Sequence, residues 1–168
     1  MNRKFLIVFL AISASVILAA GLVFANGADS SDFEVTDEMF WLDRYMLILK
    51  STTDYNEALD FAVKASEKLD LEFKHEYKDY SREKGIYFTE DLPDPDYKGL
   101  YWPRRYEGEH ISLENSGAYG DAFAPGYIIV VGGVYSDREK GDKALSRAKE
   151  LYKDSYLKKT NMWMGCIH

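Results

Sequence analysis

The stretch that decides the fold is Tyr127–Tyr152, YIIVVGGVYSDREKGDKALSRAKELY. Residues 127–134 are apolar on both alternating sets, the pattern of a strand buried on two faces. Ser136 and Glu139 have the spacing of a capping box, and Ala144, Leu145, Ala148, Leu151 and Tyr152 then recur at helical spacing. A last strand is predicted from about Tyr156 to Ile167. The C-terminal third therefore reads β-α-β.

The same order recurs upstream. FWLDRYMLIL (40–49) ends as a strand buried on two faces, and Asp54 with Glu57 repeats the capping spacing. Tyr55, Ala58, Leu59, Ala62, Ala65 and Leu69 form the helical stripe. LEFKHEY (71–77) then alternates strictly, which predicts a half-exposed strand. Aligned at Tyr45 and Tyr127, the two halves form a weak internal repeat. Two such units pack most simply as an α+β fold, a ferredoxin-like βαββαβ antiparallel sheet with both helices on one face. Strands one and three, apolar throughout, are expected at the centre, adjacent and parallel; strands two and four, which carry Lys and Glu, are expected at the edges.

Between the halves lies an insertion, 78–126. It holds all four Pro and nine aromatic residues, a composition that no linker uses. Because the helices cover only one face of the sheet, part of this segment is expected to fold over the other. GIYFT (85–89) and EHISLE (109–114) have the alternation of short strands and suggest an extra hairpin.

The chain has 168 residues, 21 Lys+Arg against 28 Asp+Glu, and one Cys. A net charge of −7 excludes the phosphate backbone of nucleic acid as main partner, since counterion release needs a basic face. Residues 1–25 carry Arg3 and Lys4 before an apolar run and end in Val23-Phe24-Ala25, the pattern of a cleavable signal peptide; an uncleaved N-terminal membrane anchor is the alternative. Both place the bulk outside the cytoplasm, periplasmic or secreted, with a membrane as partner only if the segment is uncleaved. Cleavage removes two positive and no negative charges, taking the net from −7 to −9. Residues 26–38 read as a flexible lead-in and 39–168 as a single domain. Cys166 has no partner in the chain and is expected to be buried and slow to alkylate.

The C-terminal unit resembles the sporulation-related repeat (SPOR) domain of bacterial envelope proteins, whose first strand reads like Y-V-Q-V-G-S-F and precedes S-D-R-E-x-A. Val130 stands here for the motif's Gln, Gly133 stands for its Ser, an extra residue precedes Ser136, and the insertion is foreign to it. The resemblance implies the same βαββαβ architecture and binding to peptidoglycan glycan strands stripped of their stem peptides.

Three clusters are candidates for chemistry. Tyr101, Trp102, Arg104, Arg105, Tyr106 and His110 combine stacking rings with forked donors, which suits an anionic glycan or a carboxylate. Against this stands the reading that the rings anchor the insertion while the two Arg pair with Glu107 and Glu109. His110, Ser112 and Glu114 share one face of a strand, which serves acid–base chemistry if enclosed and is otherwise an ordinary solvent face. Cys166 and His168 are the third pair. No HExxH or CxxC spacing occurs, and Gly132-Gly133 belongs to no phosphate loop, so no cofactor or metal is expected; the glycines suit a bulge or close backbone approach. The expectation is a non-catalytic exported module binding glycan or peptidoglycan. The alternatives are a hydrolase or transferase using His110 and Glu114, with or without Cys166, or a protein-interaction domain.

Overall fold

The computed structural model describes residues 36–165. Strand β1 (Trp41–Thr52) is followed by helix α1 (Tyr55–Leu69), a hairpin of β2 (Lys78–Ser81) and β3 (Gly85–Phe88), and strand β4 (Gly108–Asn115). Strand β5 (Ile128–Tyr135), helix α2 (Arg138–Leu151) and strand β6 (Tyr156–Trp163) complete the order. The main sheet runs β4-β5-β1-β6 and every neighbouring pair is antiparallel. The α+β class, the antiparallel sheet and the central positions of β1 and β5 agree with the sequence reading. Among the described residues no helix is long and apolar enough to cross a membrane.

The expectation that β1 and β5 are parallel is wrong. Tyr45 pairs with Tyr135 and Thr52 with Ile128, an antiparallel register. A helix crossover returns the chain in the same direction one strand further on, so the strand filling that gap runs the opposite way. β4 and β1 thus run in the same direction with β5 between them.

The second strand of the sheet also differs from the one expected. LEFKHEY contributes a single bridge, Phe73 to Ile111, through Ile111 N–H donating to Glu72 O (2.8 Å) and Lys74 N–H donating to Ile111 O (2.9 Å). The edge position belongs to β4, whose EHISLE the sequence places in the insertion. Both segments alternate, but β4 buries Ile111 and Leu113 against the helices, whereas LEFKHEY breaks at Tyr77, with φ of 56°. The enlargement therefore lies between α1 and β4, not across 78–126. Gly85–Phe88 does enter a hairpin, but its partner is Lys78–Ser81. The Asn115 side chain clamps this hairpin to the end of β4, accepting from Ile86 N–H (3.1 Å) and donating to Ile86 O (3.2 Å). Only glycine fits at 85, where φ is +71° and a Cβ would lie 2.8 Å from Asn115 Oδ1.

Alternation along the strands divides the core. Leu47, Leu49, Ile111, Leu113, Ile128 and Val130 meet Ala58, Ala62, Ala65, Ala144 and Ala148 of the two helices. Met46, Ile48, Ile129, Val131, Val134 and Met162 form a second cluster on the opposite face, closed by Tyr119 and Phe123 from the segment after β4. That part of the expected insertion covers the second face; the hairpin joins the helix-side cluster through Ile86 and Tyr80. A bulge at Gly132 shifts the β1–β5 register, and there a Cβ would press on Leu49 at 3.1 Å.

Both helices start on an aspartate. Asp54 accepts from Asn56 N–H (2.8 Å) and Glu57 N–H (3.1 Å), while the Glu57 carboxylate turns to Lys50 (2.8 Å). At α2 the cap is Asp137, accepting from Glu139 N–H (2.7 Å), and not Ser136 as the capping-box spacing predicts. Ser136 instead bonds Glu107 through its hydroxyl (2.9 Å), tying the start of α2 to the loop before β4.

Candidate binding site

The strand face carrying His110, Ser112 and Glu114 is not a solvent face: the three are 4%, 2% and 0% exposed. The segment 101–106 roofs Glu114 and His110. Glu114 holds that roof through one oxygen, its Oε2 accepting from Tyr101 O–H (2.7 Å), Tyr119 O–H (3.1 Å) and Arg104 N–H (3.1 Å). The Tyr101 oxygen also accepts from Asn115 N–H (3.0 Å), so the ring is pinned at two points. Burial, and then the Glu114 carboxylate, push both tyrosine hydroxyls well above their ordinary range.

Arg104 is a structural clasp. Its guanidinium donates to Tyr106 O (3.3 Å), His110 O (3.0 Å), Gly108 O (2.5 Å) and His110 Nδ1 (3.1 Å). All four acceptors lie on the loop and strand that follow it, so this fork is not presented to a ligand. Burial draws the guanidinium below its usual value, with Glu114 pulling the other way. Because arginine can only donate, Nδ1 of His110 is the acceptor and the ring proton sits on Nε2, which has no hydrogen-bond partner. Burial, aided by Arg104, Lys74 and Lys78, lowers His110 to about 3. The imidazole is therefore neutral and stacked on Tyr106, with centroids 5.0 Å apart.

Glu107 and Glu109 find ion-pair partners on other elements of the fold. Glu107 meets Arg44 of β1 (2.9 Å), and Glu109 meets Arg147 of α2 (2.6 Å) while accepting from Tyr135 O–H (3.1 Å). Arg105 lies between two indoles, 4.6 Å from the centroids of both Trp102 and Trp163.

Beside the roof opens a cleft of about 460 Å³, within the range of small-ligand sites. Tyr77, Phe88, Tyr97, Trp102 and Tyr106 line it as aromatic walls, and Ser112 and Glu114 line it from β4. Trp102 meets Tyr97 edge-on, with centroids 5.4 Å apart, and Lys74 lies over Tyr106 (5.4 Å). Glu114 Oε1, Ser112 Oγ and Trp102 Nε1 are buried polar atoms of lining residues with no hydrogen-bond partner among the described residues. Charge is balanced, with Glu72, Glu76, Asp94 and Glu114 against Lys74, Lys78, Arg104 and Arg105.

No family model, curated protein or solved structure matches the chain. What the cleft does has to be read from its own atoms.

Of the residues singled out in the sequence, Trp102, Arg104, Arg105 and Tyr106 border the cleft, while Tyr101 and His110 act behind it as supports. Cys166 and His168 lie outside the described residues. Among the described residues no three His, Cys, Asp or Glu side chains gather to hold a metal ion. Sequence reasoning missed Glu72, Lys74 and Glu76, the polar alternates of LEFKHEY, and it missed Tyr77, Phe88 and Tyr97. The alternation of LEFKHEY marks an exposed set of side chains but carries no sign that they face a cleft.

Proposed function

We propose that this chain is an exported, non-catalytic binding module of the bacterial cell envelope whose cleft takes a glycan strand, peptidoglycan in particular. The observation that carries the reading is a cleft with aromatic walls and unpartnered hydrogen-bonding atoms on Trp102, Ser112 and Glu114. Aromatic faces stack on the C–H faces of sugar rings, while hydroxyl and amide groups need buried donors and acceptors to fix their orientation. The order β4-β5-β1-β6, with a helix crossover in each half, supports reading the fold as ferredoxin-like with an enlarged α1–β4 connection. That architecture, the Tyr127–Tyr152 motif and the export pattern of residues 1–25 favour a SPOR-like envelope role.

Hydrolysis through His110 and Glu114 is less well supported. His110 does not border the cleft, its Nδ1 is taken by Arg104, and a group lowered to about 3 is a weak base at neutral pH. The deciding experiment is co-sedimentation with intact and amidase-treated cell-wall sacculi. Retention that rises when stem peptides are removed, and falls at least tenfold in Trp102→Ala, is expected; equal absence of retention on both preparations sinks the proposal.

A further inference from the structure

Resting on the cleft as the binding site, we propose that Trp163, on the edge strand opposite β4, is a positioning residue that sets the orientation of the Trp102 wall through Arg105. The main sheet runs β4-β5-β1-β6, so β5 and β1 separate Trp163 from the strand beneath the cleft. Trp102 and Arg105 line the cleft, and Trp163 does not. The link between them is the Arg105 guanidinium, 4.6 Å from the centroid of each indole. A cation over two π faces is attracted to both, so the two rings and the side chain between them favour one joint arrangement.

The Trp163 end of this stack is fixed by regular structure. Trp163 pairs with Trp41 across the β1–β6 ladder, and its ring meets Phe40 with centroids 6.0 Å apart. Gly165 makes room for the indole, since a Cβ at that position would collide with it. The Trp102 end has no such frame, because segment 101–106 belongs to no helix or strand. Trp102 meets Tyr97 edge-on at one contact and Arg105 at another. A wall ring stacks on a ligand only at a set angle, which depends on neighbours whose own positions are locked. Trp163 supplies that lock from outside the cleft.

Two measurements on the full chain test this, using Trp163→Phe, which keeps a π face, and Trp163→Leu, which keeps apolar bulk without one. The first needs no ligand: NMR of the Trp102 indole N–H. Trp163→Leu is expected to shift this resonance and lower its order parameter, while Trp163→Phe leaves both near wild type. The second is co-sedimentation with amidase-treated sacculi. Trp163→Leu should weaken retention by about fivefold, the scale of one partly desolvated cation–π contact, and Trp163→Phe by less than about twofold. An unchanged Trp102 signal in Trp163→Leu overturns the positioning role, and so does an equal disturbance in Trp163→Phe and Trp163→Leu. Retention that Trp102→Ala loses and Trp163→Leu keeps in full overturns it as well. A disturbed Trp102 signal in a protein that sacculi do not retain overturns the glycan reading alone. If Trp163→Leu fails to fold, Arg105→Gln removes the cation and should loosen Trp102 in the same way; an unchanged Trp102 signal there overturns the proposal.

Discussion

Replacing Arg104 separates a clasp from a ligand-binding arginine. Arg104 is 4% exposed and its guanidinium makes four hydrogen bonds, two of them to His110 in buried positions. Truncation to Ala strands three carbonyl oxygens and an imidazole nitrogen. At about 1–3 kcal/mol for each buried acceptor left unsatisfied, with the two part-buried ones discounted to roughly half, the loss is about 3–9 kcal/mol. That is a large share of the roughly 5–15 kcal/mol available to a domain of this size, so Arg104→Ala should be close to unfolding. Arg104→Lys is the better variant. It keeps the charge and one or two of the bonds, and should cost about 2 kcal/mol. Urea unfolding monitored by tryptophan fluorescence should show a lower midpoint with an unchanged slope. A loss below about 0.5 kcal/mol, the ordinary result for a surface position, would refute the clasp and return Arg104 to the pool of ligand contacts.

Three further outcomes are expected. His110 has a folded-state value near 3 against an ordinary 6.5, so the unfolded chain binds the extra proton. The resulting stability is present in full above about pH 6.5 and is lost as pH falls toward 3; NMR titration of the ring protons should show no protonation between about pH 5 and 8, and a midpoint near 6.5 would contradict the enclosed site. Asp137→Ala should destabilise the chain by about 1 kcal/mol as a lost helix cap, measured by thermal or urea unfolding. Ser136→Ala, if Ser136 only ties α2 to Glu107, should leave α2 helicity by circular dichroism unchanged; a larger loss of helicity than in Asp137→Ala would restore Ser136 as the cap.

Much of the architecture is legible in residue order alone. Apolar content on both alternating sets marks Tyr45–Leu49 and Ile128–Val134 as central strands, because only a strand covered on two faces can bury both sets. The helix stripes follow the same logic: Ala58, Ala62, Ala65, Ala144 and Ala148 recur at the helical period and all pack against the sheet. The aromatic density of 101–106 likewise marks a segment with more to do than connect. Which segment becomes the second strand is not legible, since LEFKHEY and EHISLE have the same alternation in sequence and it is the fold that gives β5 to EHISLE as a partner. The functions of individual polar residues are hidden for the same reason. Arg104 reads as a ligand-binding fork until its loop folds back onto it, and HISLE reads as a solvent face until Tyr101 and Tyr119 close over Glu114. Local pattern records which faces are apolar, because burial of apolar surface repeats along an element. A hydrogen-bond partner brought up by an irregular loop leaves no periodic trace, so the roof, the clasp and the unpartnered Glu114 oxygen exist only in the tertiary structure.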